Sequence, residues 1–311
     1  MDSWSALFPG QGSQHVGMGE DLYRTHEAAR ETFDEANRIL GLDLTALCFT
    51  GPEEELKQTR YTQPAIVAHS VAAWRVLAAE GLSPSYVAGH SVGEYSALVA
   101  GGVLSYQDAL RLVNVRALAM QECGEKNPGT MAAIIGIPDG KMDELIAGAG
   151  EAGVIAAANY NSPGQTVVSG EVAAVRRAAE IAPSLGAKRA VMLNVSGAFH
   201  SPLMEKSVGE LTAMFGEVEF RPASIPVVCN VTGRPETDPG RIQKLLEEQL
   251  LSPVLWRQSI QYMIRDGVND FVEVGPGNVL CGLLRRIDRG ATCLPCSDVA
   301  SIEEFLGGVS A

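Results

Sequence analysis

Short apolar runs alternate with longer stretches of helical period along most of the chain. Residues 5–8 (SALF) form a compact apolar run that opens into the glycine-rich Pro9-Gly10-Gln11-Gly12-Ser13-Gln14. That pattern predicts a buried strand ending in a loop. Helical spacing follows over 18–24 and 26–40, with Gly41 as a stop signal. Residues 64–80 predict a further helix, with Pro64 near its start and Gly81 after its end. A short strand over 85–89 then runs into a helix that starts near Ser91 and stops at Gly101-Gly102. Ser105 and Asp108 form a capping-box-like start for a helix over 106–123, which Gly124 is expected to end.

The texture changes after residue 125. Strands are predicted over 130–137, 154–160, 166–170 and 188–195, with helices over 139–149 and 171–182. The order β-α-β-β-α-β is the ferredoxin-like signature. Helices near 201–215, 239–250, 253–266 and 277–288 then resume the alternation, with strands near 226–230 and 270–274. Alternation of this kind predicts an α/β fold with a parallel sheet. The expected division is a larger domain of 1–125 and 196–311, interrupted by a small subdomain of 126–195.

The chain has 311 residues, 46% hydrophobic and 20% charged, enough to bury a core without metal or disulfide staples. Its formal net charge of −13 argues against a nucleic-acid or anionic-membrane binder. The opening MDSWSALFPG lacks the basic cluster and long apolar run of a secretory signal, and no stretch has the length of a membrane span. The cytoplasm is expected by default. Of six cysteines, Cys293 and Cys296 form a lone CxxC in a segment that reads as a strand end. A zinc site would want a second pair and a redox motif would open a helix, so free structural thiols are expected and no metal.

Candidate chemistry begins at Gly89-His90-Ser91-Val92-Gly93, a G-x-S-x-G pattern between a predicted strand and a predicted helix. A nucleophile elbow requires that setting, because a sharp turn lifts the serine hydroxyl over the strand ends. The alternative is a buried glycine-rich turn. A serine needs a base, and only five histidines exist. His26 lies in a charged helical stretch and His69 in an apolar helix. His90 adjoins Ser91 and should point away from the pocket, and His15 leads into a helix start. His200, in the small-residue loop NVSGAFHSPLM, remains as the candidate base. No carboxylate stands out between Ser91 and His200 to orient the ring, so a carbonyl or amide could hold the tautomer. Arg116 lies within an apolar helix; its residues alone favour a salt bridge, for example to Glu122 or Glu125.

Several separate motifs occur in order: Phe8-Pro9-Gly10-Gln11-Gly12-Ser13-Gln14, Gly89-His90-Ser91-Val92-Gly93-Glu94, Arg116, Asn161-Ser162-Pro163-Gly164-Gln165, Gly197-Ala198-Phe199-His200-Ser201 and Glu273-Val274-Gly275-Pro276-Gly277. Together they resemble the malonyl-CoA:acyl carrier protein transacylases and the related acyltransferase domains of fatty acid and polyketide synthases, over essentially the whole chain. The resemblance implies an α/β-hydrolase-like core with a parallel sheet and an inserted ferredoxin-like subdomain. It implies Ser91 as the residue that takes the malonyl group and His200 as general base and acid. The N–H groups of Gln11 and Val92 would form the oxyanion hole. Arg116 would bind the free malonyl carboxylate, and the backbone carbonyl of Gln249 would orient the histidine. An aromatic at Phe199 resembles the malonyl-selective pattern rather than the methylmalonyl one.

The implied reaction is a ping-pong transfer from malonyl-CoA to the phosphopantetheine thiol of acyl carrier protein, with coenzyme A a substrate and no bound cofactor. Carrier proteins are typically acidic, as this chain is, so docking wants a local basic patch. Arg285, Arg286 and Arg289 offer one, and Arg176, Arg177, Lys188 and Arg189 another; either could be an ordinary solvated face. Three readings compete: a serine esterase or thioesterase, a non-catalytic carrier-binding module, and an acyltransferase that serves a polyketide synthase in trans.

Overall fold

The buried run at the N-terminus becomes β1 (Trp4–Phe8), and every residue of it is buried. The remaining strands are β2 (Tyr86–Gly89), β3 (Gly129–Ile135), β4 (Ile155–Ser162), β5 (Gln165–Glu171), β6 (Arg189–Met192), β7 (Val227–Cys229), β8 (Arg234–Glu236), β9 (Asp270–Val274) and β10 (Thr292–Cys296). This computed structural model describes residues 3–195 and 197–309. The expected boundary at residue 196 and the terminal bounds 1 and 311 lie outside the described residues.

Two sheets form. The larger has the order β10-β9-β1-β2-β7-β8, parallel throughout except for the antiparallel β7–β8 pair. Helices cover it, which is why its central strands read as continuous apolar runs rather than alternating ones. The smaller sheet is antiparallel, order β4-β5-β3-β6, with helices Met142–Gly150 and Val172–Ile181 packed on it. Phe8 of β1 pairs with Gly89 of β2, so both strands finish side by side. Loops at the carboxyl ends of such strands are where open α/β sheets place their ligands.

Backbone bonds tie β4 of the small sheet to the segment that leads into helix Trp256–Arg265. Tyr160 N–H donates to Val254 O at 2.9 Å and Val254 N–H to Ala158 O at 2.8 Å. Arg257 adds a two-pronged pair to Asp139, at 2.9 and 3.2 Å.

Several boundaries differ from expectation. The helix expected over 64–80 runs Thr59–Ala79, with Pro64 in its second turn. Pro64 removes one N–H bond there, and near-complete burial from Thr62 to Ala73 compensates. Gly124 does not end its helix, which continues to Lys126. Its missing side chain serves packing instead: a Cβ added at Gly197 would lie 3.3 Å from Gly124 Cα, so the chain leading to His200 passes against bare backbone. Helices Leu44–Thr50, Glu53–Leu56 and Val299–Val309 were not anticipated.

The cysteine expectation is corrected. Cys281 and Cys293 are joined as a disulfide between helix Val279–Ile287 and β10, with Cα atoms 5.2 Å apart. Cys48, Cys123, Cys229 and Cys296 are free and buried. Sequence spacing drew attention to Cys293 and Cys296, but alternation along β10 points those two side chains differently, and the neighbouring helix supplies the partner.

Candidate active site

Ser91 lies two residues past the end of β2 and two residues before helix Gly93–Ala100. Its backbone has φ 52°, and the other non-glycine residue with positive φ among the described residues is His200, at 57°. Such strain persists only where the surroundings over-determine it, and it clusters at working sites. Close backbone approach demands the glycines around Ser91. A Cβ on Gly93 would sit 2.2 Å from Phe8 O, and one on Gly89 2.0 Å from the Gly93 carbonyl.

The turn at 197–204 delivers the histidine. Ser201 Oγ donates to Ala198 O at 2.6 Å, and Pro202–Met204 forms a short 3₁₀ turn. His200 is 3% exposed. Its Nε2 lies 2.8 Å from Ser91 Oγ. Its Nδ1 faces two carbonyls, Gln249 O at 3.0 Å and Ser252 O at 3.2 Å. Two acceptors at Nδ1 fix the proton there and leave Nε2 free to accept from the hydroxyl. Burial first, then the Arg116 charge, push the His200 pKa down to about 3, so the ring is neutral at ordinary pH. The serine and histidine are 109 positions apart in sequence.

Arg116 is 1% exposed. Its Nη1 donates to Gln63 Oε1 at 2.6 Å, and its Nη2 to Ser91 Oγ at 3.0 Å and Gln249 Oε1 at 3.2 Å. The Tyr95 ring lies 5.8 Å away, and Nε has no hydrogen-bond partner among the described residues. The salt bridge that the sequence favoured is not formed: Glu122 pairs with Lys126, and Glu125 accepts from Gln121. Arg116 is thus a buried cation held by neutral acceptors, with its tip on the serine hydroxyl. A buried guanidinium of this kind has the planar fork that can pair with a carboxylate.

Gln11 and Val92 line the same cavity, of about 120 Å³, with Ser91, Arg116, Phe199 and His200. Neither Gln11 N–H nor Val92 N–H takes part in a hydrogen bond among the described residues. Met131, Asn159 and Leu193 close it from the small sheet's side, so the cavity lies between the two sheets.

Residues 6–296 match the family model described as "Acyl transferase domain". The chain belongs to this acyltransferase family.

It is 44% identical over 288 residues to the malonyl CoA-acyl carrier protein transacylase of Escherichia coli K12, covering 92% of this chain and 93% of that protein. The Bacillus subtilis protein of the same name is 41% identical over 304 residues, 97% of this chain and 96% of the relative. Among solved structures, the acyl carrier protein S-malonyltransferase of Vibrio cholerae superposes with a TM-score of 0.94 at 44% identity, over 97% of this chain and 99% of that one. A malonyl-transacylase solved in complex with its type II PKS acyl-carrier protein gives a TM-score of 0.95 at 41% identity, over 98% and 99% of the two chains.

Other residues of the acyltransferase site carried no signal in spacing. Asn230, just past β7, accepts from Ser91 N–H at 2.7 Å and donates Nδ2–H to Gly89 O at 2.6 Å. Gln63 and Ser252 enter as described above. His90 is among the residues around the cavity, while its ring is engaged with residues outside the lining: Nε2 lies 2.9 Å from Asn161 Oδ1 and the ring centroid 5.4 Å from that of Trp256. Glu273, from the last motif, is a buried cap that accepts Leu280 N–H at 3.0 Å and Cys281 N–H at 2.8 Å. Lys188, Arg189 and Arg286, drawn from both basic groups, meet at one depression beside Ser162–Gln165.

Proposed function

We propose that the protein transfers malonyl groups from coenzyme A to the phosphopantetheine thiol of acyl carrier protein, through an ester on Ser91. Ser91 Oγ attacks the thioester carbonyl while His200 Nε2 takes its proton. The N–H groups of Gln11 and Val92 receive the oxyanion, each such donor contributing about 3–4 kcal/mol to the transition state. Collapse expels coenzyme A as a thiolate, which takes the proton from His200. The carrier's thiol then attacks the ester, gives its proton to His200, and Ser91 leaves with that proton. The Gln249 carbonyl keeps the ring in the tautomer this cycle needs.

The observation that carries the malonyl reading is Arg116, buried without a carboxylate partner among the described residues and 3.0 Å from the Ser91 hydroxyl. The malonyl carboxylate would replace neutral acceptors on the guanidinium. An acetyl group has nothing to offer there. Phe199 narrows the space beside the α-carbon, a methyl-sized discrimination of about 1–3 kcal/mol.

The fold reads as an α/β-hydrolase-like core of 1–125 and 196–311 with a ferredoxin-like subdomain of 126–195 inserted. The strand orders of the two sheets and the elbow after β2 support this. Among the described residues no helix is long and apolar enough to cross a membrane; a cytoplasmic enzyme of fatty acid biosynthesis fits the relatives' names. The basic depression at Lys188, Arg189 and Arg286 suits an acidic carrier protein.

The test is partition of the acyl-enzyme. Purified malonyl-enzyme mixed with holo acyl carrier protein should yield malonyl-carrier with little free malonate. Rapid malonate release without any acceptor would point to a thioesterase instead.

A further inference from the structure

Glu94 is a charged residue buried to 1% exposure in the first turn of helix Gly93–Ala100, and the cycle above gives it nothing to do. Its Oε2 accepts from Gln249 Nε2 at 2.7 Å and from the Asn230 N–H at 3.2 Å. Those two residues hold everything that must stay in register. Gln249 presents its backbone carbonyl to His200 Nδ1, donates Nε2–H to Ser91 O at 3.2 Å and accepts from Arg116. Asn230 grips Ser91 N–H and Gly89 O on either side of the strained turn. One carboxylate oxygen therefore joins the brace on the serine to the brace on the imidazole.

We infer that Glu94 is a positioning residue, which through Gln249 and Asn230 keeps Ser91 and His200 aligned for acyl transfer. The inference rests on the reading of Ser91 and His200 given above. What it requires of Glu94 is reach, an acceptor at the end of a side chain of this length, rather than charge. Burial pushes the Glu94 pKa up to about 7, against its hydrogen bonds to Gln249 and Asn230. An oxygen of either protonation state can accept both bonds. A shift of about 1 Å in a reacting group costs on the order of 100-fold in rate, so a loosened brace registers in the chemical step.

Rapid-quench acylation of the full-length enzyme by malonyl-CoA separates this from a role in folding. The burst amplitude counts intact sites; the rate constant reads their alignment. Glu94→Gln keeps the acceptor and should acylate within about fivefold of the wild type, whereas Glu94→Asp keeps the charge, withdraws the oxygen and should slow the rate constant at least tenfold. The KM for malonyl-CoA should move little in either. Equal rate constants in Glu94→Asp and the wild type, with any loss confined to amplitude, would overturn the inference. So would the reverse order, with Glu94→Gln the slower variant. A wild type that forms no malonyl-enzyme would instead remove the reading of function itself.

Discussion

At the scale of single residues, the proposed function assigns selectivity to Arg116. Replacing it with alanine should lower kcat/KM for malonyl-CoA by about 100-fold or more, as expected for loss of a buried charge-assisted pair. Acetyl-CoA should be affected far less, and competition between the two donors in a mass-spectrometric assay reads the ratio directly. The same substitution should move the acid limb of the pH profile. His200 must be neutral to act as base, and burial together with the Arg116 charge holds its pKa near 3, far below the ordinary imidazole value. Activity limited by this group should therefore persist well below pH 6 in kcat/KM, which reports the free enzyme. In Arg116→Ala the second-largest depressing cause, after burial, is gone, so the limb should shift to higher pH.

The serine and the histidine were legible in the sequence because each sits in a short pattern with its own signature, whereas Arg116 stands out through the family resemblance and its own setting favoured a salt bridge. Glu94 stands in the motif Gly89–Glu94 without a role of its own, and Asn230 and Gln63 belong to no motif. The last two are lone polar residues in or beside apolar segments, and such residues most often satisfy local backbone. The partners of all three lie 53 to 155 positions away in sequence. The one available hint was Asn230, a polar residue directly after the buried strand Val227–Cys229.

Element boundaries follow from packing as much as from local pattern. The expected stop at Gly124 failed because that glycine answers to a neighbouring loop, not to the helix end. The helix expected from Pro64 begins earlier because tertiary burial outweighs one missing hydrogen bond. Strand-to-helix order was readable, since parallel strands buried on both faces announce themselves as apolar runs. Contact between β1 and the elbow can be tested on Gly93. Its Cβ position is occupied by Phe8 and Pro9 carbonyls at 2.2 and 2.7 Å. Gly93→Ala should cost at least about 2 kcal/mol in stability by overpacking and should abolish acylation with it, as chemical denaturation and burst amplitude would report. An alanine variant of wild-type stability would mean that the elbow is not clamped against β1.

For the whole molecule, stability against pH combines opposing groups. His69 and His200, buried and depressed to about 4 and 3, remain neutral in the fold while the unfolded chain protonates near 6.5. They destabilise the fold as pH drops from about 6.5 towards 3. Glu94 and Glu273, raised to about 7 by burial, hold protons in the fold that the unfolded chain has released above 4.5. They destabilise it as pH rises from about 4.5 to 7. Burial depresses His90 as well; histidines and carboxyls oppose each other between about 4.5 and 6.5, so stability should change less steeply with pH there than below 4.5. Thermal unfolding across pH 3–8 checks the shape, and a steady decline beginning at pH 6.5 would contradict it. The link between Cys281 and Cys293 spans 12 positions, a loop for which a disulfide is worth about 3 kcal/mol on chain-entropy grounds; reducing the oxidised protein should lower its melting temperature without touching Ser91.

The proposed cycle turns on one covalent species, an ester on the hydroxyl of Ser91. Intact-protein mass spectrometry after brief exposure to malonyl-CoA, followed by peptide mapping, tests it most directly. The wild type should gain a single malonyl group located on Ser91, and Ser91→Ala should gain none. An unmodified wild type, or a label that persists in Ser91→Ala, would contradict the account.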